Sequence, residues 1–278
     1  MLRTRIITAL ILIVAFLAAL FLLPPIGWIA FSSLVAVLAA WEWGALIGLG
    51  RRGRVFLGAA IALVAIAISV ISPGSVGLVP YAPDTAMLLG QWFYFPSALF
   101  WLLLVPCWLK FRWAIKDSMI GIAVGAVVIL PTWLALVQIR QVGEWVLIAI
   151  MAVVWLADIA AYFSGRRFGR HKLAPAISPG KTWEGAVGGT LAVVAYGFLF
   201  VSALPSSLSG NRALLFALLA ILAAISIIGD LFESLLKRQA GLKDSSGILP
   251  GHGGVLDRID SLTSTLPIAA IVLHYFAV

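Results

Sequence analysis

Nine runs of mostly apolar residues, each long enough to cross a bilayer, leave this chain few ways to fold. A hydrocarbon core is spanned by about 17–25 such residues in a helix. The runs lie at Ile6–Leu23, Gly27–Leu49, Val55–Ile71, Trp92–Leu109, Ser118–Ile139, Trp145–Ser164, Trp183–Leu204, Ala213–Leu236 and Ser261–Val278. Composition agrees: 63% of the residues are hydrophobic and 11% charged, against about 45–50% and about 25% in soluble domains. Too little polar surface remains to coat a water-facing globule. A soluble enzyme, a disordered chain and a nucleic-acid binder are excluded, and an all-α polytopic membrane protein of about nine transmembrane helices is expected. The first run follows Arg3 and Arg5 as a signal peptide would, but it is too long and lacks a small-x-small cleavage site. It reads as a retained helix.

The net charge is +8, and in a membrane protein basic residues collect on cytoplasmic loops. With the N-terminus inside and nine spans, 17 of the 19 Lys and Arg residues fall on the inside, and Arg140 and Arg212 outside. The C-terminus is then periplasmic. The segment Ser72–Gln91, without Lys or Arg, falls outside as this topology requires. The single cysteine, Cys107, sits in an apolar run where plain packing is the expected role, and three scattered histidines with one cysteine make no zinc site.

A charge near the bilayer centre costs about 2.5–3.5 kcal/mol, so acidic residues near the spans call for partners. Glu42, Asp84, Asp117 and Glu144 look dispersed. The other seven of the eleven, Asp158, Glu184, Asp230, Glu233, Asp244, Asp257 and Asp260, lie in the C-terminal half on or near the inside face. Within one membrane domain, residues 145–278 thus carry a mixed-sign polar cluster at the cytoplasmic boundary, and residues 1–144 have little to match it. Asp230 falls near the cytoplasmic end of its helix, with Ser234 and Lys237 on roughly the same face. Asp257 and Asp260 share a face at a helix N-terminus. N-capping needs only one carboxylate, and two there with Asp230 nearby suit a divalent cation such as Mg²⁺.

Between these carboxylates runs a loop with Lys237, Arg238, Lys243, Gly247, Gly251, His252, Gly253 and Gly254, closed by Arg258. Cations and close-approaching backbone amides suit polyphosphate. A second polar stretch carries Asp158 and Tyr162, then Ser178, Lys181, Thr182 and Glu184. Its Gly-Lys-Thr is not a P-loop, because Pro175 stands where that motif needs glycine and no strand is expected before it. The pairs Gly121/Gly125 and Gly185/Gly189 read as helix-packing positions.

At these residues the sequence resembles the phosphatidate cytidylyltransferases (CDP-diacylglycerol synthases) of bacterial type. Ser234 through Asp260 fits the family signature S-x-[LIVMF]-K-R-x4-K-D-x-[GSA]-x2-[LIF]-[PGS]-x-H-G-G-[LIVMF]-x-D-R-[LIVMFT]-D at every fixed position, and Ala157–Gly185 resembles its upstream motifs. The likeness is strong over Trp155–Leu262, and over the N-terminal half it amounts to size and hydropathy. It implies transfer of CMP from CTP to phosphatidate with Mg²⁺, for phospholipid synthesis at the cytoplasmic face of the bacterial inner membrane. It implies catalytic roles for Asp230, Asp257, Lys237 and Arg258, and metal binding by Asp230, Asp257 and Asp260, where a monovalent cation is also allowed. Arg238, Lys243, His252, Gly253, Gly254, Asp158, Ser178, Lys181, Thr182 and Glu184 would bind substrate. Membrane lipids and a homodimer partner are the implied associations, and nucleic acid is not. The competing readings are a CTP-dependent polyprenol kinase, which would leave CDP, and a secondary transporter, which would place its polar site at the midplane.

Overall fold

The computed structural model describes residues 2–80, 82–199 and 210–276. Ten α-helices and one short hairpin make up the described chain. In order they are α1 (Leu2–Leu22), α2 (Pro25–Leu46), α3 (Arg51–Ile71), α4 (Pro83–Leu99), α5 (Val105–Phe111), α6 (Ser118–Val142), α7 (Glu144–Phe168), β1 (Lys172–Ala174), β2 (Ser178–Thr182), α8 (Trp183–Leu199), α9 (Arg212–Gln239) and α10 (Leu256–Phe276). Among the described residues eight helices are long and apolar enough to cross a membrane, α4 and α5 counting as one, Pro83–Phe111. The chain is an all-α polytopic membrane protein. The expected seventh span is a shorter apolar helix of 17 residues. Its continuation to Leu204, the last two residues of the ninth span and the Arg3 side chain lie outside the described residues.

Local chemistry sets the helix ends. Pro25 opens α2, where a missing N–H costs nothing. The Asp117 side chain caps α6 by accepting from the amides of Met119 (2.6 Å) and Ile120 (3.1 Å). The fourth span is longer than the expected Trp92–Leu109, because α4 runs into α5 through one π turn at Phe100–Leu104. Pro106 follows that turn and cannot donate to the preceding one, so the wider turn absorbs the break. Cys107 is exposed rather than packed in the core.

Proline and glycine also fix how helices meet. Pro267 inside α10 leaves the Thr263 carbonyl without its helical donor. The Thr132 hydroxyl of α6 reaches that carbonyl at 3.2 Å, the kind of repair that buried membrane helices need. The small-residue pairs serve packing as expected. Gly121 and Gly125 face Ile47 and Trp43, and the Trp43 indole donates to the Gly121 carbonyl at 2.9 Å. Gly185 and Gly189 lie against the carbonyls of Ala161 and Ala157, bringing α8 onto α7.

The buried core centres on Trp28, Trp43, Trp101, Trp133 and Phe232. The Phe232 ring has Phe100, Trp101 and Trp108 around it at 5.5–5.6 Å and Trp43 at 6.3 Å. Such edge-on aromatic contacts add to ordinary burial. They fix the stretch of α9 that carries Asp230, Glu233 and Lys237.

Candidate active site

A cavity of about 750 Å³ opens between α7, the β1–β2 hairpin, α9 and the start of α10. Its walls are of mixed charge. Asp158, Asp230, Asp244, Asp257 and Asp260 face it with Arg166, Lys172, Lys181, Lys237 and Arg258. Lys237 is in the last turn of α9 and Asp257 in the first turn of α10. Asp230 is nine residues before the end of α9, about 14 Å along the axis at 1.5 Å per residue. The cavity therefore extends from the helix ends some two to three turns inward.

The antiparallel hairpin, pairing Lys172 with Thr182 and Ala174 with Ser178, is a correction to the sequence reading, which placed no strand here. Gly180 and Lys181 lie within β2, whereas a P-loop places them in the turn after a strand, so the rejection of that motif stands. The strand carries Lys181 across the cavity to Asp230, Nζ to Oδ2 2.6 Å. Thr182 is buried and caps α8, accepting from the Gly185 amide at 3.1 Å. Glu184 turns to the hairpin instead of the cavity. It accepts from the His171 amide at 3.2 Å and meets His171 Nδ1 at 2.6 Å.

On the opposite wall Lys237 contacts two carboxylates, Glu233 Oε2 at 2.9 Å and Asp257 Oδ1 at 2.6 Å. The expected i,i+4 pairs of α9 are present, since Ser234 also donates to Asp230 at 3.1 Å. Asp257 Oδ2 accepts from the Ser245 amide (2.8 Å), the Ser245 hydroxyl (2.9 Å) and the Gly254 amide (2.7 Å). One oxygen of Asp257 thus organises the glycine-rich loop while the other faces Lys237. Gly253, at φ +79°, passes so close to Asp257 that a Cβ would stand 2.6 Å from Oδ2.

Of the sequence candidates, Asp158, Ser178, Lys181, Thr182, Asp230, Lys237, Asp257, Arg258 and Asp260 line one cavity. Arg238, Lys243, Glu184, His252, Gly253 and Gly254 do not. Arg238 donates to the Leu242 carbonyl at 3.4 Å, and Gly253 accepts from the Leu249 amide at 2.9 Å. Tyr162, Arg166, Lys172 and Asp244 line the cavity as well.

The residue the sequence reading misplaced is Glu42. It is not dispersed. Fully buried, it receives the Ser245 and Ser246 hydroxyls at 3.1 and 2.6 Å and the Val255 and Leu256 amides at 3.0 and 2.6 Å. Its signal was a carboxylate inside an apolar span, which demands buried partners.

The donors suit a hard divalent cation in chemistry. Five carboxylates share the cavity. Among the described residues no group of three His, Cys, Asp or Glu is drawn together as a metal cage. Mg²⁺ commonly takes one or two carboxylates and completes its shell with water and substrate phosphates.

A helical membrane protein with a mixed-charge cavity reaching inward from its helix ends has the build of an enzyme that brings a charged soluble substrate to a lipid headgroup. The cytidylyltransferase family model matches residues 3–276, and the chain belongs to that family. It is 42% identical to the phosphatidate cytidylyltransferase of Pseudomonas aeruginosa, over 98% of this chain and 97% of that one. It is 36% identical to the enzyme of the same name from Haemophilus influenzae, over 96% of each. The Thermotoga maritima phosphatidate cytidylyltransferase is 43% identical over 48% of this chain and 50% of its own.

Proposed function

We propose that this chain is a phosphatidate cytidylyltransferase of the bacterial inner membrane, converting CTP and phosphatidate to CDP-diacylglycerol and pyrophosphate in the mixed-charge cavity, which faces the cytoplasm. The observation that carries the reading is the pairing of Lys181 with Asp230 across the cavity, with the Lys237–Asp257 pair on the wall it reaches, in a chain of this family. Five cations and five carboxylates there suit two phosphate-bearing substrates and a divalent cation. The inward reach of the cavity suits a lipid phosphate entering from the bilayer while a nucleotide arrives from water. Either basic cluster lies on the inside when the N-terminus is cytoplasmic.

In the proposed reaction a phosphatidate oxygen attacks the α-phosphorus of CTP. A new P–O bond forms there, the bond to the β-phosphate oxygen breaks, and pyrophosphate carries away the charge. A phosphate monoester is already anionic near neutral pH, so the nucleophile needs no general base. Lys181, Lys237 and Arg258 would hold phosphate oxygens in line and offset the charge that develops on the leaving group. Arg166 and Lys172 would supply cation charge at the hairpin side. Asp230, Asp257 and Asp260 would hold Mg²⁺. The bound ion would screen phosphate charge. Ser178 and Asp158 complete the wall, while Thr182 and Glu184 keep the hairpin in place.

The test is pyrophosphate release by detergent-purified protein given CTP, Mg²⁺ and phosphatidate, with the wild type beside Asp230→Asn and Asp257→Asn. Release that needs both substrates and collapses in the variants is expected. CDP in place of pyrophosphate would mean γ-phosphoryl transfer to lipid, and no turnover by folded protein would sink the reading.

A further inference from the structure

Taking the cavity as the site of cytidylyl transfer, as proposed above, we infer that Glu42 is a positioning residue for that reaction. It acts from the N-terminal half, through the loop that carries Asp244, Asp257 and Arg258. Glu42 lies in α2 and does not line the cavity. Among the described residues no Lys, Arg or His forms a salt bridge with it. Its charge is met by hydrogen bonds, with Arg54 of α3 attracting it at longer range. Ser246 Oγ and the Val255 amide donate to Oε1 and the Leu256 amide to Oε2, while Ser245 Oγ shares its one proton between Oε2 and Asp257 Oδ2. Those amides begin α10, where a helix has free N–H groups and favours an anion. Glu42 thus does from a distant helix what an N-cap does locally.

The clamp reaches the cavity through one hydroxyl. Ser245 Oγ stands between Glu42 Oε2 at 3.1 Å and Asp257 Oδ2 at 2.9 Å. Displacing Ser245 or the start of α10 moves Asp257, and with it Lys237. Gly254 passes between Ser245 and Glu42 so closely that any Cβ would collide with both. The loop is also tied at its far end, where Thr8 of α1 donates to the Pro250 carbonyl at 3.0 Å. A carboxylate is required at Glu42 because both of its oxygens face donors. An amide would turn an NH₂ group toward a backbone N–H that cannot reverse its role.

The experiment compares wild type, Glu42→Gln, Ser246→Ala and Arg140→Ala in detergent. Arg140 is a control remote from the loop, donating to the Leu20 and Leu23 carbonyls at 3.0 and 2.6 Å. Pyrophosphate release gives kcat and the KM for CTP, amide hydrogen exchange follows Val255 and Leu256, and thermal unfolding reports stability. Glu42→Gln is expected to lower kcat about ten- to a hundredfold, with KM changed less than about threefold and faster exchange confined to the loop and the start of α10. Ser246→Ala should shift kcat and exchange in the same direction by less. Arg140→Ala should lower the unfolding temperature and leave kcat alone. A folded Glu42→Gln protein with wild-type kcat overturns the inference. So does a loss of kcat no greater than Arg140→Ala shows at equal loss of stability. Should Glu42→Gln fail to fold, Ser246→Ala decides, and unchanged kcat there overturns the inference. If the wild type itself releases no pyrophosphate, it is the proposed function that fails, while the exchange data still report whether Glu42 clamps the loop.

Discussion

Lys181 of the hairpin and Asp230 of α9 meet at 2.6 Å, with side chains about a quarter exposed. The pair joins the two polar walls of the cavity. Lys181→Ala is expected to lower kcat/KM about a hundredfold, the scale of losing one donor to developing charge. Stability should fall by no more than about 1 kcal/mol, because a part-exposed ion pair contributes little. Steady-state pyrophosphate release and thermal unfolding on the same preparation separate the two effects. Wild-type kcat/KM would remove Lys181 from the site.

Lys237 is a different case, since Glu233 and Asp257 leave it only 11% exposed, with both partners more buried still. Lys237→Met strands two buried carboxylates and should destabilise the fold by about 3–5 kcal/mol. Lys237→Arg keeps the charge but brings a planar fork where a compact ammonium sits between two oxygens. It should retain more stability than Met and still lose most activity. Denaturation midpoints and turnover for the two variants test this.

Gly254 should tolerate no side chain. A methyl there collides with Ser245 Oγ and Glu42 Oε1, and overpacking of this kind costs about 1–3 kcal/mol. Gly254→Ala is expected to lose activity and to loosen the loop. Gly50→Ala, where a Cβ meets nothing within 4 Å, should leave turnover and stability unchanged. Equal behaviour of the two variants would refute the packing argument.

Removing divalent cations should silence the enzyme without unfolding it. Chelation is expected to abolish pyrophosphate release, Mg²⁺ to restore it, and the helical circular-dichroism signal to stay constant, since the helices fold around an aromatic core rather than a metal. Asp260→Asn should raise the Mg²⁺ concentration needed for half-maximal rate. Full activity in chelator would dismiss the metal assignment.

The hairpin at Lys172–Thr182 escaped the sequence reading because its strands are three and five residues long and the second contains proline and glycine. No period-2 pattern can show in so short a run. The eighth and ninth runs were legible for the opposite reason: long apolar stretches with charges gathered at one end fix helix and depth together. The i,i+4 pairs Asp230–Ser234 and Glu233–Lys237 were legible too, because helical spacing alone sets them.

Sequence by itself determined the membrane class, the run of helices, and the carboxylates and cations of the C-terminal half, because bilayer thickness and helical spacing act on neighbouring residues. Tertiary structure alone decided which of them meet. It set Lys181 on Asp230 and Lys237 on Asp257, turned Glu184 and Gly254 away from the cavity, and brought Glu42 to the start of α10. A buried carboxylate must find donors wherever the packing of helices puts them, and no local pattern records a partner more than two hundred residues along the chain.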